Sequence, residues 1–124
     1  MDATTALILI ALLMTKHCVC DFLLQVPYHY LNKGKYGHPG GIAHAGIHVV
    51  GTFLALAAGG ITLAVATLWA FVDGIVHYHA DWAKMRINSY YKWNAMNSER
   101  FWWLLGFDQW VHSITYVVIV WYLI

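Results

Sequence analysis

Four apolar runs alternate with polar stretches along the chain: about 3–26, 42–58, 61–84 and 101–124. At 1.5 Å per residue a run of about 20 residues crosses a ~30 Å hydrocarbon core. The second run reaches only ~25 Å, so it either begins inside the preceding loop or crosses with little tilt. Pro27 ends the first run, the polar stretch NKGKYGHPGG follows it, and Gly59-Gly60 turns the second run into the third as a tight helical hairpin. The third continues past Lys84 toward Tyr90 as an amphipathic extension, because Arg86, Asn88 and Lys92 mix there with Met85, Ile87 and aromatic residues. Trp and Tyr at both ends of the fourth run suit interfacial anchoring. The pattern predicts an all-α fold, a polytopic four-helix membrane bundle forming one domain over residues 1–124.

Composition agrees with a bilayer as solvent. The chain is 60% hydrophobic and 10% charged, whereas soluble domains carry roughly 25% charged residues. Nothing in it suggests a nucleic-acid partner, and the bilayer itself is the expected surrounding. Cys18 and Cys20 are two apart, form no CxxC pair and read as small apolar residues. Asp2, the absence of a basic leader and the lack of a small-residue cleavage site mark the first run as a retained helix. Lys33, Lys35, Lys84, Arg86, Lys92 and Arg100 all fall on the side of the two polar connections. The positive-inside rule makes that side cytoplasmic, with both termini on the far side of an inner (cytoplasmic) membrane.

Polar residues interrupt every run, and they do so in pairs four residues apart: His17/Asp21, His44/His48, His77/Asp81 and Asp108/His112. On a helix this spacing projects both side chains from one face, as in helices that hold a metal through HExxH. Counted from the expected cytoplasmic ends, all four pairs lie within roughly 4 to 17 Å of one surface. Matched depth predicts one shared metal site in the cytoplasmic half of the bundle. Without a cation, so many buried carboxylates and imidazoles would be hard to compensate. Isolated His/Asp bridges between helices are the plainer reading of any single pair.

Five imidazoles and three carboxylates without a thiolate suit zinc first, with manganese and iron as alternatives, and eight donors are enough for two divalent ions. Gln25, Lys84 and Gln109 are the candidate catalytic helpers, with Tyr28, Lys33 and Arg86 also on the cytoplasmic side. Lys84 would offset developing negative charge; its plainer reading is a residue snorkelling to the interface. Tyr28 continues the stripe of His17, Asp21 and Gln25. Asp73 lies one turn from His77 on the same face and reads as an acceptor behind the ligands. His79 points away, and His29 and His38 read as exposed loop histidines.

The blocks HCVCDFLLQ, HAGIH, HYHADWAK and DQWVH, in that order, resemble the HxxxDxxLQ, HxxxH, HxxxDxxK and DQxxH blocks of a family of small phage and bacterial membrane proteins, domain-of-unknown-function family three-three-zero-seven. The resemblance spans His17 to His112, and its pattern is similar to small integral-membrane metal-dependent hydrolases. It implies a phage setting and carries His17, Asp21, Gln25, His44, His48, His77, Asp81, Lys84, Asp108, Gln109 and His112 as the matching positions. The leading functional expectation is a metal-dependent hydrolase acting on a lipid-linked or membrane-proximal ester, phosphodiester or phosphoanhydride. A di-iron membrane oxygenase and a metal transporter or metal-stapled interaction protein are the alternatives, and a homo-oligomer stays open.

Overall fold

A computed structural model describes every residue from Met1 to Ile124. It is all-helical: α1 (Ala3–Cys18) runs into a π-helical turn (Val19–Leu23), followed by the short α2 (Pro27–Tyr30), α3 (Pro39–Ala58), α4 (Leu63–Tyr91) and α5 (Glu99–Leu123). Asp2 starts α1 by accepting the Thr5 N–H at 2.7 Å. Ser98 does the same for α5, accepting the Arg100 N–H at 3.2 Å. Pro39 occupies the first turn of α3, where its missing N–H has no partner to lose, and His38 Nδ1 accepts the Gly40 N–H at 2.9 Å. Helix α3 therefore begins inside the Gly-rich connection rather than at Ile42, and its 20 residues reach ~30 Å.

The first helix departs from the expected continuous run to Val26. The Leu24 N–H bonds back to the Val19 carbonyl at 3.0 Å, a five-residue step that inserts one extra residue into the turn holding Asp21. Regular helix stops at this turn, and Pro27 opens α2 instead of closing α1. Between α3 and α4 the chain turns at Gly60, whose φ of 87° is open to glycine without strain.

The four long helices close a ring. Helix α1 packs against α3 and α5, α4 packs against the same two, and the backbones of the diagonal pairs stay apart, while α2 leans on α3. The interior divides along its length. Toward the termini and the Gly59-Gly60 turn it is apolar, built from Leu9, Leu13, Leu56, Ala66, Tyr116 and Ile119 among others. Toward the other two connections it is polar. Fifteen of the 29 buried residues are polar or charged, so this half cannot be held by hydrophobic burial alone.

The outside has the opposite character, with Leu7, Phe22, Leu54, Leu68, Phe71, Trp103, Trp110 and Trp121 all exposed. By length and composition two segments suffice to cross a membrane, Ala3–Leu23 and Pro39–Ala58. Helices α4 and α5 are longer, and α4 carries more of the inward-facing polar residues described below than any other helix.

The elbow between α2 and α3 depends on Gly40, since a Cβ there would collide with the Tyr28 carbonyl oxygen, whereas one at Gly46 would meet open space. Gly40→Ala is expected to destabilise the purified protein by about 1–3 kcal/mol. Gly46→Ala should be neutral or stabilising by up to about 1 kcal/mol. Thermal unfolding of the two variants side by side checks both signs.

Candidate metal centre

Each long helix turns one polar stripe inward. Asp21 is the point of convergence: its Oδ1 lies 2.9 Å from His48 Nε2, 3.1 Å from His44 Nε2 and 3.4 Å from His77 Nε2, and its Oδ2 lies 3.1 Å from His17 Nε2. Asp81 forms a second focus, with Oδ2 at 3.1 Å from His77 Nε2 and 3.3 Å from His44 Nε2, and Oδ1 at 3.6 Å from His112 Nε2. Asp108 Oδ1 stands 3.2 Å from the same His112 nitrogen. All eight residues are buried. Their donor atoms form three overlapping groups, each within 4.8 Å: His17, Asp21, His48 and His77; Asp21, His44, His77 and Asp81; Asp81, Asp108 and His112. The first two groups share Asp21 and His77, and the last two share Asp81.

Hydrogen bonding alone satisfies this arrangement poorly. One imidazole nitrogen carries at most one proton, yet His44 Nε2 faces Asp21 Oδ1, Asp81 Oδ2 and, at 3.2 Å, another ring nitrogen, His77 Nε2. His112 Nε2 and Asp108 Oδ1 are close without the alignment of a hydrogen bond, and the buried Nδ1 atoms of His44, His77 and His112 have no partner. With ligand distances of ~2.0–2.2 Å, neighbouring donors stand about 3.4 Å apart around a tetrahedral ion and about 3.0 Å apart around an octahedral one. The closest separations, 2.9 to 3.6 Å, bracket those values, and the buried His/Asp groups could hold a metal ion.

Three ammoniums complete the polar interior. Lys33 Nζ donates to Asp81 Oδ2 at 3.0 Å. Lys84 Nζ donates to Asp108 Oδ2 at 2.8 Å and reaches Asp81 Oδ1 at 3.4 Å. Lys16 Nζ donates to Asp73 Oδ2 at 2.7 Å, and the Thr52 hydroxyl donates to the same oxygen at 2.5 Å. Lys16 also lies 3.1 Å from His48 Nδ1. An ammonium has no lone pair, so it donates to Nδ1, which leaves the proton of neutral His48 on Nε2 facing Asp21. His48 Nε2 also belongs to the first of the three donor groups, beside Asp21.

The other expected residues divide. Gln109 stands among the donors, its Oε1 2.9 Å from His17 Nε2 and its Nε2 donating to Asp108 Oδ2 at 3.2 Å. Lys84 is buried in two ion pairs, not snorkelling. Gln25 folds back to donate to the Asp21 carbonyl at 2.9 Å, because the stripe breaks after the π turn; Tyr28 is exposed for the same reason. His29, expected to be exposed, is buried, and its Nδ1 accepts the Val26 N–H at 3.3 Å. Burial, with His44 and Lys33 nearby, pushes its imidazole below the ordinary histidine range. His79 bonds Tyr36 on the outside of α4, and Arg86 is exposed.

The site extends one turn deeper than the four pairs suggest. Thr52 follows His48 by four residues, Tyr116 follows His112 by four, and Asp73 precedes His77 by four. All three are buried, and the Tyr116 hydroxyl lies 2.8 Å from His17 Nδ1, where it fixes the ring so that Nε2 faces Asp21. Asp73 was already expected on that face as an acceptor, and continuing the α3 and α5 stripes by one turn would have found Thr52 and Tyr116. Lys16 had a weaker signal, a lone ammonium in an apolar run.

Fold and site together define an all-helical protein whose ring of four long helices encloses a histidine, aspartate and lysine centre able to take a metal. The family model described as Protein of unknown function (DUF3307) matches residues 8–124. The chain belongs to that family. No curated protein and no solved structure matches it.

Lys16 and Asp73 are each other's compensation, since both are buried and Lys16 has no other carboxylate partner. Lys16→Met or Asp73→Leu alone is expected to cost about 3–5 kcal/mol, because each leaves an unpaired buried charge. The double variant should recover most of that loss. Chemical unfolding, analysed as a double-mutant cycle, reads the coupling directly.

Proposed function

We propose that the protein is a membrane-embedded, metal-dependent hydrolase whose centre takes two divalent ions, zinc first. The observation that carries this reading is the convergence of imidazole and carboxylate donors from all four long helices into groups within 4.8 Å, with the buried Nδ1 atoms of His44, His77 and His112 left without a hydrogen-bond partner. His17, Asp21 and His77 would hold one ion and Asp81, Asp108 and His112 the other, with His44 between the two foci. Bound ions supply a Lewis acid for the attacked group and a nucleophile from water near neutral pH. Around them Tyr116 orients His17, His48 donates to Asp21, and Gln109 places an amide beside His17 and Asp108.

The inside-out distribution of residues supports four membrane spans, with polar groups enclosed and large apolar side chains facing outward. Lys35, Arg86, Lys92 and Arg100 remain exposed on the side of the two polar connections. They favour a cytoplasmic position for that side and for the nearby site. An apolar groove of about 900 Å³ between α1 and α3 has Lys16 and Cys20 among its lining residues. It would give the chain of a lipid-linked substrate a way to lie beside the centre. The apolar half of the interior, closed by Leu9, Leu13, Leu56 and Ile119, favours hydrolysis over transport, since a transport site needs access from both sides.

Hydrolysis of lipid-linked esters, phosphodiesters and phosphoanhydrides by the purified protein should vanish with a chelator and return with added zinc or manganese. Asp21→Asn and Asp81→Asn are each expected to lower the rate by about 100-fold or more, as groups behind the ligands alone are worth 10–100-fold. Full activity in either variant would contradict the reading.

A further inference from the structure

We propose that Lys33 and Lys84 form an anion-binding pair that recognises a phosphate group on the substrate, an inference that rests on the metal-dependent reading above. Both ammoniums are buried, and their carboxylate partners are Asp81 and Asp108. Those two carboxylates also belong to the groups that could hold a metal. Lys16 makes the contrast: its carboxylate, Asp73, stands outside those groups and is shared with Thr52. A cation at Asp81 and Asp108 would take the lone pairs that Lys33 and Lys84 now use and would repel both ammoniums. Lys16 would keep its partner.

Charge points the same way. Asp21, Asp73, Asp81 and Asp108 are four buried carboxylates facing three buried ammoniums, a balance of one negative charge with neutral imidazoles. Two divalent ions turn that into three positive charges, which in an apolar surrounding call for a multiply charged anion. A phosphate oxyanion meets that need, whereas the neutral carbonyl of a carboxylic ester does not. The geometry is already suited to it. Lys33 and Lys84 approach the two different oxygens of Asp81, at 3.0 and 3.4 Å, so the two ammoniums stand close enough together, once released from that carboxylate, to share one phosphate. Both lysines also sit at the polar-connection end of the bundle, Lys33 between α2 and α3 and Lys84 in the outer half of α4.

Inorganic phosphate titrated calorimetrically into the metal-loaded full chain tests the pair. Lys33→Gln and Lys84→Gln, which keep a hydrogen-bond donor but remove the charge, should each weaken phosphate binding by about tenfold or more at unchanged metal content. Lys33→Arg should stay close to wild type. Competition by phosphatidylcholine bilayers with and without phosphatidic acid separates the sources: displacement by phosphatidic acid assigns a lipid-borne phosphate, and no displacement assigns a soluble one. The lysines are varied singly, so that if one variant fails to load metal the other still decides. Wild-type phosphate affinity in a metal-loaded Gln variant overturns the pair and leaves the metal reading intact. Wild-type protein that takes up no metal overturns the metal reading, and the pair with it.

Discussion

The structure depends on keeping charged carboxylates inside a helical ring whose outer surface is apolar. An isolated carboxylate moved into such an interior is too costly to persist, so each of the four is surrounded. Asp21 is surrounded by imidazoles from all four long helices' faces bar α5, namely His17, His44, His48 and His77. Asp81 adds His112 from α5, and two lysines. No single helix could supply this shell, so the same contacts that compensate the charge also draw the helices together.

Several features of the fold follow from that constraint. The interior separates into an apolar half and a polar half, because mixing the two would leave donors without partners. The π turn contains Asp21 and marks the point at which the α1 stripe ends. Lys33 reaches the centre from a connection rather than a helix, and Gly40 allows the close approach of α2 and α3 beside that connection. The three lysines are not equivalent. Lys16 is committed to Asp73, while Lys33 and Lys84 share their carboxylates with the positions a cation would occupy.

The repeated four-residue spacing made the four pairs legible in the sequence, since a helical stripe is a local property. The all-helical fold was legible for the same reason. Partners across the bundle were not. Nothing local says that Tyr116 meets His17, that Lys16 meets Asp73, or that Lys33 crosses to Asp81; those depend on which helices become neighbours. Gln25 and Tyr28 were placed on the stripe by assuming unbroken α-helix, and the extra residue of the π turn removed them. His29 looked like a loop residue because its burial comes from the packing of α2 on α3. The contact of His48 with Lys16 was equally hidden, because it joins α3 to α1.

In the proposed centre the donors gather around metal ions rather than around one another. Elemental analysis of the purified protein, combined with anomalous diffraction from its crystals, decides between the two. About two divalent ions per chain, with anomalous peaks beside Asp21 and Asp81, is the expected result. Protein expressed with ample zinc and manganese that retains no metal, with the imidazoles and carboxylates still packed together, would contradict it.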